Sequence, residues 1–363
     1  MRDLKLLGIA GILALVSVQT SAQQTRWSVG FVNANGSSYV ETLKQVPARI
    51  DAATKGRLKI ELYDTLVAGP EQPAAVRDGR LDGSFAVSPW LSAEAPYMNF
   101  GHLPGLLIDV AQYHKMLDPL LRAEMAKVWS AKYKAVQLAT GVFEEQCVIS
   151  RDPIRSVADF AGKKVRVHNT EAAALMSKLG AAPTPVPFGE IVPALQRGIV
   201  DIVMTSVGTA NGFGFHTVAK NFGLWKIGTV VPWSMVVNEA VWAKLPADLK
   251  PLVTAEFRKI EDEHFARHAA FNKENIASLV KNGMTLYEAP ESERAKVFAK
   301  ANVDVRGDTV VFHFYPKSTE NRLALLELEY RNRTVNQIRR TYFAVEPDGT
   351  GYRFSVFRQI LLQ

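Results

Sequence analysis

Two segments of the chain share one pattern, and this duplication constrains the fold more than any other feature. The segment GPEQPAAVRDGRLD covers residues 69–82, and FGEIVPALQRGIVD covers residues 188–201. Identical residues match at a constant offset of 119 positions in four pairs: Glu71 with Glu190, Ala75 with Ala194, Gly79 with Gly198, and Asp82 with Asp201. Each copy is typical of a short helix with an early acidic residue, a glycine that ends it and a following strand. The pattern predicts two α/β lobes built alike, with chance similarity as the alternative.

The chain between the two copies and around them alternates short β-like runs with helical patterns, which indicates α/β architecture. Strands are predicted at 27–32, 58–62, 84–87, 199–204 and 284–287, a loop at 33–38, and helices at 39–54 and 291–302. A long helical pattern runs from Pro251 to Lys281 and ends at Asn282-Gly283. At about 1.5 Å per residue this helix would exceed 40 Å, so it could lie across both lobes.

The composition is that of a folded protein without disulfides. A chain of 363 residues with 47% hydrophobic residues is long enough for about two domains, each with its own core. The single cysteine, Cys147, excludes an intramolecular disulfide and any zinc site that needs several thiolates. The net charge of +7 is modest for this length, and the basic run 331–340 is best explained as a solvated face, so no nucleic-acid partner is predicted.

The N-terminus has the layout of an export signal. Arg2 and Lys5 precede an apolar run from Leu6 to Val18, and the small residues Thr20-Ser21-Ala22 follow. This arrangement is typical of a Sec-type signal peptide covering residues 1–22, with cleavage near Ala22 and a mature chain that begins at Gln23. The run is short for a membrane span, and an uncleaved anchor is the alternative.

One arginine is the leading candidate for ligand binding. Residues 159–167 read DFAGKKVRV, a turn that leads into a strand. Alternation places Val165 and Val167 on one face, and Lys164 and Arg166 on the other. Because α/β folds bind ligands at the ends of their strands, Arg166 could meet a carboxylate there, which its planar guanidinium matches with two hydrogen bonds. A solvated surface arginine is the alternative.

Signals for catalysis and for metal binding are weak. His264 and His268 are four residues apart on the long helix, but they lack an HExxH context and a third ligand, so a solvated helix face is the better interpretation. Cys147 lies in a strand-like run and is predicted to be a buried small hydrophobe. The chain has no G-x-S-x-G elbow and no dinucleotide or phosphate-loop fingerprint. We therefore expect a protein that is not an enzyme and has no cofactor or metal.

The order of these motifs resembles the solute-binding proteins of tripartite ATP-independent periplasmic (TRAP) transporters, the DctP-like family. The resemblance runs from about Trp27 to Val303, and its most specific stretches are residues 154–167, 180–201 and 245–253. It implies an α/β clamshell of two lobes with hinge strands and a long helix that spans them. Residues 23–142 with 231–270 would form lobe I, and residues 143–230 with 271–305 would form lobe II.

The resemblance also implies a function. A receptor of this kind closes on an organic acid in the periplasm and delivers it to the membrane permease subunits of the transporter. We expect a monomer. The same fold could instead serve signalling or an ABC importer, and a periplasmic enzyme is a more distant alternative. The acid could be a dicarboxylate, a 2-oxo acid or an aromatic acid.

Site residues follow from the resemblance position by position, with Arg166 as the carboxylate anchor. Trp90 and Phe188 would give the cleft apolar walls, although both could belong to the core instead. Thr205 and Ser206 stand where many relatives have an asparagine or an acidic contact. Gln146 aligns near a second basic contact of some sialic-acid receptors, so sialic acid is not favoured. The full set of predicted contacts is Arg166, Asn169, Thr170, Trp90, Ser88, Asn35, Ser37, Glu71, Gln146, Phe188, Thr205 and Ser206.

The chain departs from this family pattern in two places. Ile202 occupies a position where relatives usually have glycine. After about Val305 the sequence becomes rich in Arg, Tyr and Phe, so residues 306–363 form an atypical C-terminal tail. This tail is either a lineage-specific extension or the product of a reading-frame change.

Overall fold

A computed structural model describes residues 24–91, 98, 102, 110–117, 121–186, 188–228 and 230–301, and the backbone of six strands between residues 303 and 361. The side chains of Gln112, Lys115, Met116, Thr170 and Glu171 are not among those described. The predicted signal peptide lies outside the described residues. Within the described part of the chain, no helix combines the length and the apolar character needed to cross a membrane.

Before residue 302 the described chain contains eleven strands and eleven helices in an alternating order. The strands are β1 (Thr25–Gly30), β2 (Leu58–Tyr63), β3 (Gly83–Val87), β4 (Ala135–Val142), β5 (Gln146–Ser150), β6 (Lys164–Arg166), β7 (Ala182–Thr184), β8 (Ile202–Ser206), β9 (Asn221–Leu224), β10 (Pro232–Asn238) and β11 (Thr285–Glu288). The helices are α1 (Ser38–Leu43), α2 (Val46–Ala53), α3 (Gln72–Arg77), α4 (Val110–Met116), α5 (Arg122–Tyr133), α6 (Thr170–Lys178), α7 (Ile191–Gln196), α8 (Val207–Gly212), α9 (Glu239–Lys244), α10 (Leu249–Lys281) and α11 (Glu291–Lys300).

These elements form two separate sheets. The first has the order β2-β1-β3-β10-β4, in which β1 is parallel to β2 and β3, and β10 is antiparallel to both of its neighbours. The second has the order β11-β9-β5-β8-β6-β7, in which β6 is parallel to β7 and β8, and β5 is antiparallel to β8 and β9. Helices cover these sheets and bury separate apolar clusters on each of them. The predicted α/β fold with two lobes is present.

Three parts of the chain join the lobes. Residues 143–145 connect β4 to β5, and residues 225–231 connect β9 to β10. The third is α10, whose 33 residues extend about 50 Å. This helix packs on β4, α1, α2 and α4 of the first lobe and on α8 of the second. The prediction of one long helix that spans both lobes is confirmed.

The duplicated segment occupies equivalent places in the two lobes. Gly79 ends α3 with a φ of +73°, and Gly198 ends α7 with a φ of +70°, a conformation that favours glycine. The carboxylate of Asp82 accepts a hydrogen bond from Ser28 N–H of β1 at 2.7 Å. In the second lobe, Asp201 accepts one from Lys164 N–H of β6 at 2.9 Å. Each aspartate thus bonds to the neighbouring strand, β1 or β6, with which the strand after its own copy of the unit pairs.

Some predicted elements differ from the structure. The helix expected over residues 39–54 is divided into α1 and α2, because Pro47 falls in the first turn of α2 and cannot continue a preceding helix. The strand expected at 199–204 covers Ile202–Ser206, since residues 198–201 still belong to the turn after α7. The solvated face expected for His264 and His268 is wrong: both are buried, and they bond to the main chain of Val142, the last residue of β4, and of Phe143, which follows it.

The tail also contains strands. They are β12 (Val303–Arg306), β13 (Thr309–Phe314), β14 (Arg322–Arg331), β15 (Thr334–Val345), β16 (Tyr352–Phe354) and β17 (Arg358–Leu361). Successive strands from β12 to β16 pair in an antiparallel way, and β17 pairs with β15. This third sheet is separate from the sheets of the two lobes.

Candidate functional site

A cavity of about 40 Å³ lies where the two lobes meet. Its polar lining comes from the second lobe: Gln146, Arg166, His168, Thr205, Ser206 and Thr209. Trp90 and Val87 of the first lobe and Phe188 of the second contribute apolar walls. Residues of both lobes line it, so the lobes lie close together in this structure.

Arg166 is buried in this cavity as a cation. It is the last residue of β6 and is 4% exposed. Its Nη1 donates to the carbonyl oxygen of Met204 at 3.0 Å, and its Cζ lies 5.7 Å from the centre of the Phe188 ring. Its Nε has no hydrogen-bond partner, and no carboxylate among the described residues forms an ion pair with it. Desolvation by burial lowers the pKa of Arg166 to about 10, so the side chain still carries its charge at neutral pH.

Ser206, Thr205 and Gln146 surround Arg166 with neutral polar groups. Ser206 is the N-cap of α8, where its Oγ accepts from Thr209 N–H at 3.2 Å. Thr205 precedes it at the end of β8 and is 4% exposed. Gln146 begins β5, and its Nε2 donates to the carbonyl oxygen of Glu144 at 3.3 Å. These side chains can donate and accept hydrogen bonds but add no charge.

Glu144 lies directly behind Ser206, in the segment that joins β4 to β5. The carboxylate is fully buried. One of its oxygens accepts from the Ser206 hydroxyl at 2.9 Å, and the other accepts from Ser38 N–H at the start of α1. Since Ser38 and Ser206 belong to different lobes, Glu144 is bonded to both sides of the junction. We found no sequence signal for this residue.

Two histidines meet at the edge of the cavity. His168 lies two residues after Arg166, and His102 comes from the segment between β3 and α4. Their Nε2 atoms are 2.7 Å apart, so one imidazole donates its proton to the other. Burial lowers the pKa of His102 to about 4. The pKa of His168 also falls well below its usual 6.5, first through burial and then through the nearby His102 and Arg166.

The lobes also touch through glycines. Gly36, with a φ of +79°, faces Gly212 of α8, where a Cβ atom would lie 2.1 Å from the carbonyl oxygen of Asn35. The Asn35 Nδ2 donates to the carbonyl oxygen of Gly212 at 3.4 Å. At this contact the main chains of the two lobes pack directly on each other. Any side chain larger than hydrogen at Gly36 or Gly212 would prevent this packing.

Six of the twelve predicted contacts line the cavity together: Trp90, Gln146, Arg166, Phe188, Thr205 and Ser206. The other six have different positions. Ser37 and Asn169 are the N-caps of α1 and α6, and Asn35 lies at the contact between the lobes. Ser88 is fully buried, with an Oγ that has no described partner, and Glu71 is exposed in the short turn before α3. Thr170 begins α6, and its side chain lies outside the described residues.

A larger hollow, of about 230 Å³, lies elsewhere, against β5, β9 and β11 of the second lobe. Its lining includes Val148, Ile154, Phe222 and Tyr287, and no buried charge faces it. The cavity between the lobes is therefore the better candidate, because it contains a buried and uncompensated cation. The described part of the chain contains no group of three or more His, Cys, Asp or Glu side chains that could hold a metal ion.

Comparison with protein families gives one match that covers most of the chain. The model for bacterial extracellular solute-binding proteins of family 7 (DctP) matches residues 29–307. A solute-binding protein of Albidiferax ferrireducens is 27% identical over 235 residues, which are 63% of this chain and 68% of the relative.

Solved structures share the fold. DctP7 of Bordetella pertussis, an extracytoplasmic solute receptor that binds pyroglutamic acid, is 22% identical with a TM-score of 0.72, and the match covers 76% of this chain and 92% of that one. A TRAP periplasmic solute-binding protein of Desulfovibrio salexigens with bound orotic acid is 19% identical with a TM-score of 0.70, and the match covers 77% and 90% of the two chains. These likenesses confirm the predicted clamshell fold.

Proposed function

Because this chain belongs to family 7 of the bacterial extracellular solute-binding proteins, we propose that it is the periplasmic receptor of a TRAP transporter. In this role it binds an organic acid between its lobes and presents the acid to membrane permease subunits. It acts as a monomer and releases its ligand unchanged, as expected of a receptor rather than an enzyme.

One observation carries this proposal: Arg166 is a buried cation without a counter-ion among the described residues. Removing a guanidinium from water costs several kcal/mol unless an opposite charge accompanies it. A ligand carboxylate supplies that charge and can take two parallel hydrogen bonds, one of them from the unpaired Nε. The cavity is thus prepared for an anion that none of the described residues provides.

The neighbouring groups suit the remainder of such a ligand. Trp90 and Phe188 offer apolar faces on opposite lobes, and Gln146, Thr205 and Ser206 offer neutral hydrogen bonds. We propose these five residues and Arg166 as the direct contacts. Ser37 and Asn169 support the cavity indirectly, as helix caps.

Binding and lobe closure are coupled in this proposal. We take residues 23–142 with 231–270 as lobe I, and residues 143–230 with 271–305 as lobe II. The lobes already touch beside the cavity, at Gly36 and Gly212, so in this proposal they separate before entry and approach again around the ligand. Contacts made from both lobes then favour the closed population.

A thermal-shift screen of the purified, processed protein tests the proposal. Organic acids and neutral sugars are compared for the wild type, Arg166→Ala and the surface control Arg26→Ala. A ligand at 100 times its Kd adds about 2.7 kcal/mol to the free energy of unfolding. We expect at least one acid to stabilise the wild type and the control but not Arg166→Ala. Stabilisation by neutral sugars alone, or equal stabilisation of Arg166→Ala, would contradict the proposal.

A further inference from the structure

Among the described residues, the lining of the cavity between the lobes contains one permanent positive charge. Arg166 is the only lysine or arginine among the described residues that line it. His102 lies beside His168 at the edge of the cavity, and the stretch of sequence around it, residues 92–109, contains no lysine or arginine. Residues 187 and 229, which lie beside Phe188 and Val230, are Pro and Thr. Neither the described lining residues nor residues 92–109, 187 and 229 therefore supply a second lysine or arginine for the ligand.

The His102–His168 pair does not replace it. Two neutral imidazoles whose Nε2 atoms are 2.7 Å apart are joined by one N–H···N hydrogen bond and carry no net charge. One added proton would turn the pair into a single cation beside Arg166, in a buried site, and both the burial and the nearby Arg166 disfavour that charge. The pair presents a neutral polar surface to the cavity.

The other charges near the site are negative or already paired. Glu144 is bonded to Ser206, which lines the cavity, and its negative charge opposes that of any anion placed there. Glu145 and Lys226 form an ion pair at 2.6 Å in the two connecting segments. A second ionised carboxylate of a ligand would meet Glu144 without meeting a free cation.

We propose, on the basis of the proposed function, that this receptor selects organic acids with a single ionised carboxylate. His168, supported by His102, contacts the uncharged polar part of the ligand and excludes a second negative charge. A dicarboxylate enters only together with one proton, which goes to its second carboxylate or to the imidazole pair. The charge of the complex is then the same for both classes of acid.

Matched acids that differ in one charge test this selection. Succinate is compared with succinamate, glutarate with glutaramate, and pyroglutamate serves as a further monocarboxylate. Calorimetric titrations at pH 6, 7 and 8, each in two buffers of different ionisation enthalpy, give the Kd and the number of protons taken up. We expect the affinity of the monocarboxylates to be independent of pH, without proton uptake. The Kd of a dicarboxylate should rise about tenfold per pH unit, with uptake of one proton, because its protonated fraction falls at that rate above the pKa of the carboxyl group.

Variants of His168 give a second and independent test. His168→Arg adds a cation, so it should strengthen dicarboxylate binding at pH 8 at least tenfold and remove the proton uptake. Gln196→Arg adds the same charge on the surface, at the end of α7, and should change neither quantity. His168→Asn keeps this position neutral, so it should keep the preference for acids with one ionised carboxylate. This variant tests the inference even if His168→Arg does not fold.

The outcomes separate this inference from the proposed function. Arg166-dependent binding of a dicarboxylate with a pH-independent Kd, or without proton uptake, overturns the selection for one charge and leaves the receptor function intact. A dicarboxylate that binds while every monocarboxylate fails overturns it as well. If none of the acids binds in a way that depends on Arg166, the proposed function and this inference fail together.

Discussion

The Ser206 hydroxyl donates a hydrogen bond to the Glu144 carboxylate at 2.9 Å, across the junction of the two lobes. The second carboxylate oxygen accepts from Ser38 N–H. A single buried anion therefore stabilises the N-terminal ends of α1 and α8, where the helix dipoles are positive. Since Glu144 lies in one of the segments that connect the two lobes, this contact lies at the hinge between the lobes and not at the open edge of the cavity.

Replacing Glu144 should destabilise the fold in a graded way. Glu144→Ala leaves Ser38 N–H and the Ser206 hydroxyl buried without their acceptor, at a cost of about 2–4 kcal/mol in the free energy of unfolding. Glu144→Gln keeps one acceptor and the volume, so it should lose less than half as much. Urea unfolding followed by circular dichroism measures both. Equal losses for the two variants would mean that the charge, and not the hydrogen bonds, is what matters.

A methyl group at Gly212 should hinder closure without harming the fold. Its Cβ would lie 2.1 Å from the carbonyl oxygen of Asn35 on the opposite lobe. We expect Gly212→Ala to weaken ligand binding more than tenfold, while the urea midpoint of the unliganded protein changes little. Gly189→Ala is the control, because a Cβ there meets nothing within 4 Å. Unchanged affinity in Gly212→Ala would show that the lobes need not approach this closely when the ligand is bound.

Arg166 should lower the stability of the unliganded protein while it provides the binding energy. Arg166→Met removes a buried charge and keeps the length of the side chain, so the free energy of unfolding should rise by about 1–3 kcal/mol. The same variant should lose carboxylate binding by roughly 2–5 kcal/mol. Arg49→Met is the contrast, because Arg49 pairs with Glu256 at 2.6 Å and with Glu263, and its loss should destabilise. A destabilised Arg166→Met would argue for a structural role.

Stability should fall in mild acid because of buried histidines. Burial lowers the pKa of His264 to about 3 and that of His102 to about 4 in the folded protein. The unfolded chain therefore takes up these protons first, and each histidine costs about 1.4 kcal/mol per pH unit as the pH falls from 6.5 towards 4. Their contribution is fully present above pH 6.5. Urea unfolding between pH 7.5 and 5 measures the slope.

A histidine variant shows whether His264 causes this change of the free energy of unfolding with pH. His264→Asn should lower stability at pH 7.5, since it loses bonds to Thr42 at 2.9 Å and to the main chain of Val142 at 2.9 and 3.1 Å. It should also flatten the dependence on pH. An identical slope in the wild type and His264→Asn would place the acid sensitivity elsewhere.

Local patterns in the sequence were sufficient for the two lobes. The repeated Gly79 and Gly198 positions predicted the same left-handed turn after a short helix, and the structure has it in both lobes. Arg166 was selected from the alternation of one short strand and from the family resemblance, and its role as the carboxylate anchor stays a prediction. Each of these conclusions depends on residues only a few positions apart.

The remaining features depend on contacts between distant segments. His102 and His168 are 66 positions apart, and nothing in either segment indicates that they meet. His264 and His268 looked solvated because their own helix provides no partner; the partners are carbonyl groups more than 120 positions earlier. Ser37 and Asn169 are also helix caps, a role for which the same residue types are favoured, and their contact with a ligand stays a prediction.

The position of β10 affects the order in which the lobes can fold during synthesis. This strand lies between β3 and β4 and pairs with both, yet it follows β5 to β9 in the chain. While the chain is synthesised from its N-terminus, the first sheet has a gap between β3 and β4 until residue 238 has been added. The second sheet lacks only its edge strand β11 at that moment. The sheet of lobe I starts to form first but is completed only when β10 has been synthesised. The helix α10 follows β10 in the chain, so it can pack against both lobes only after that.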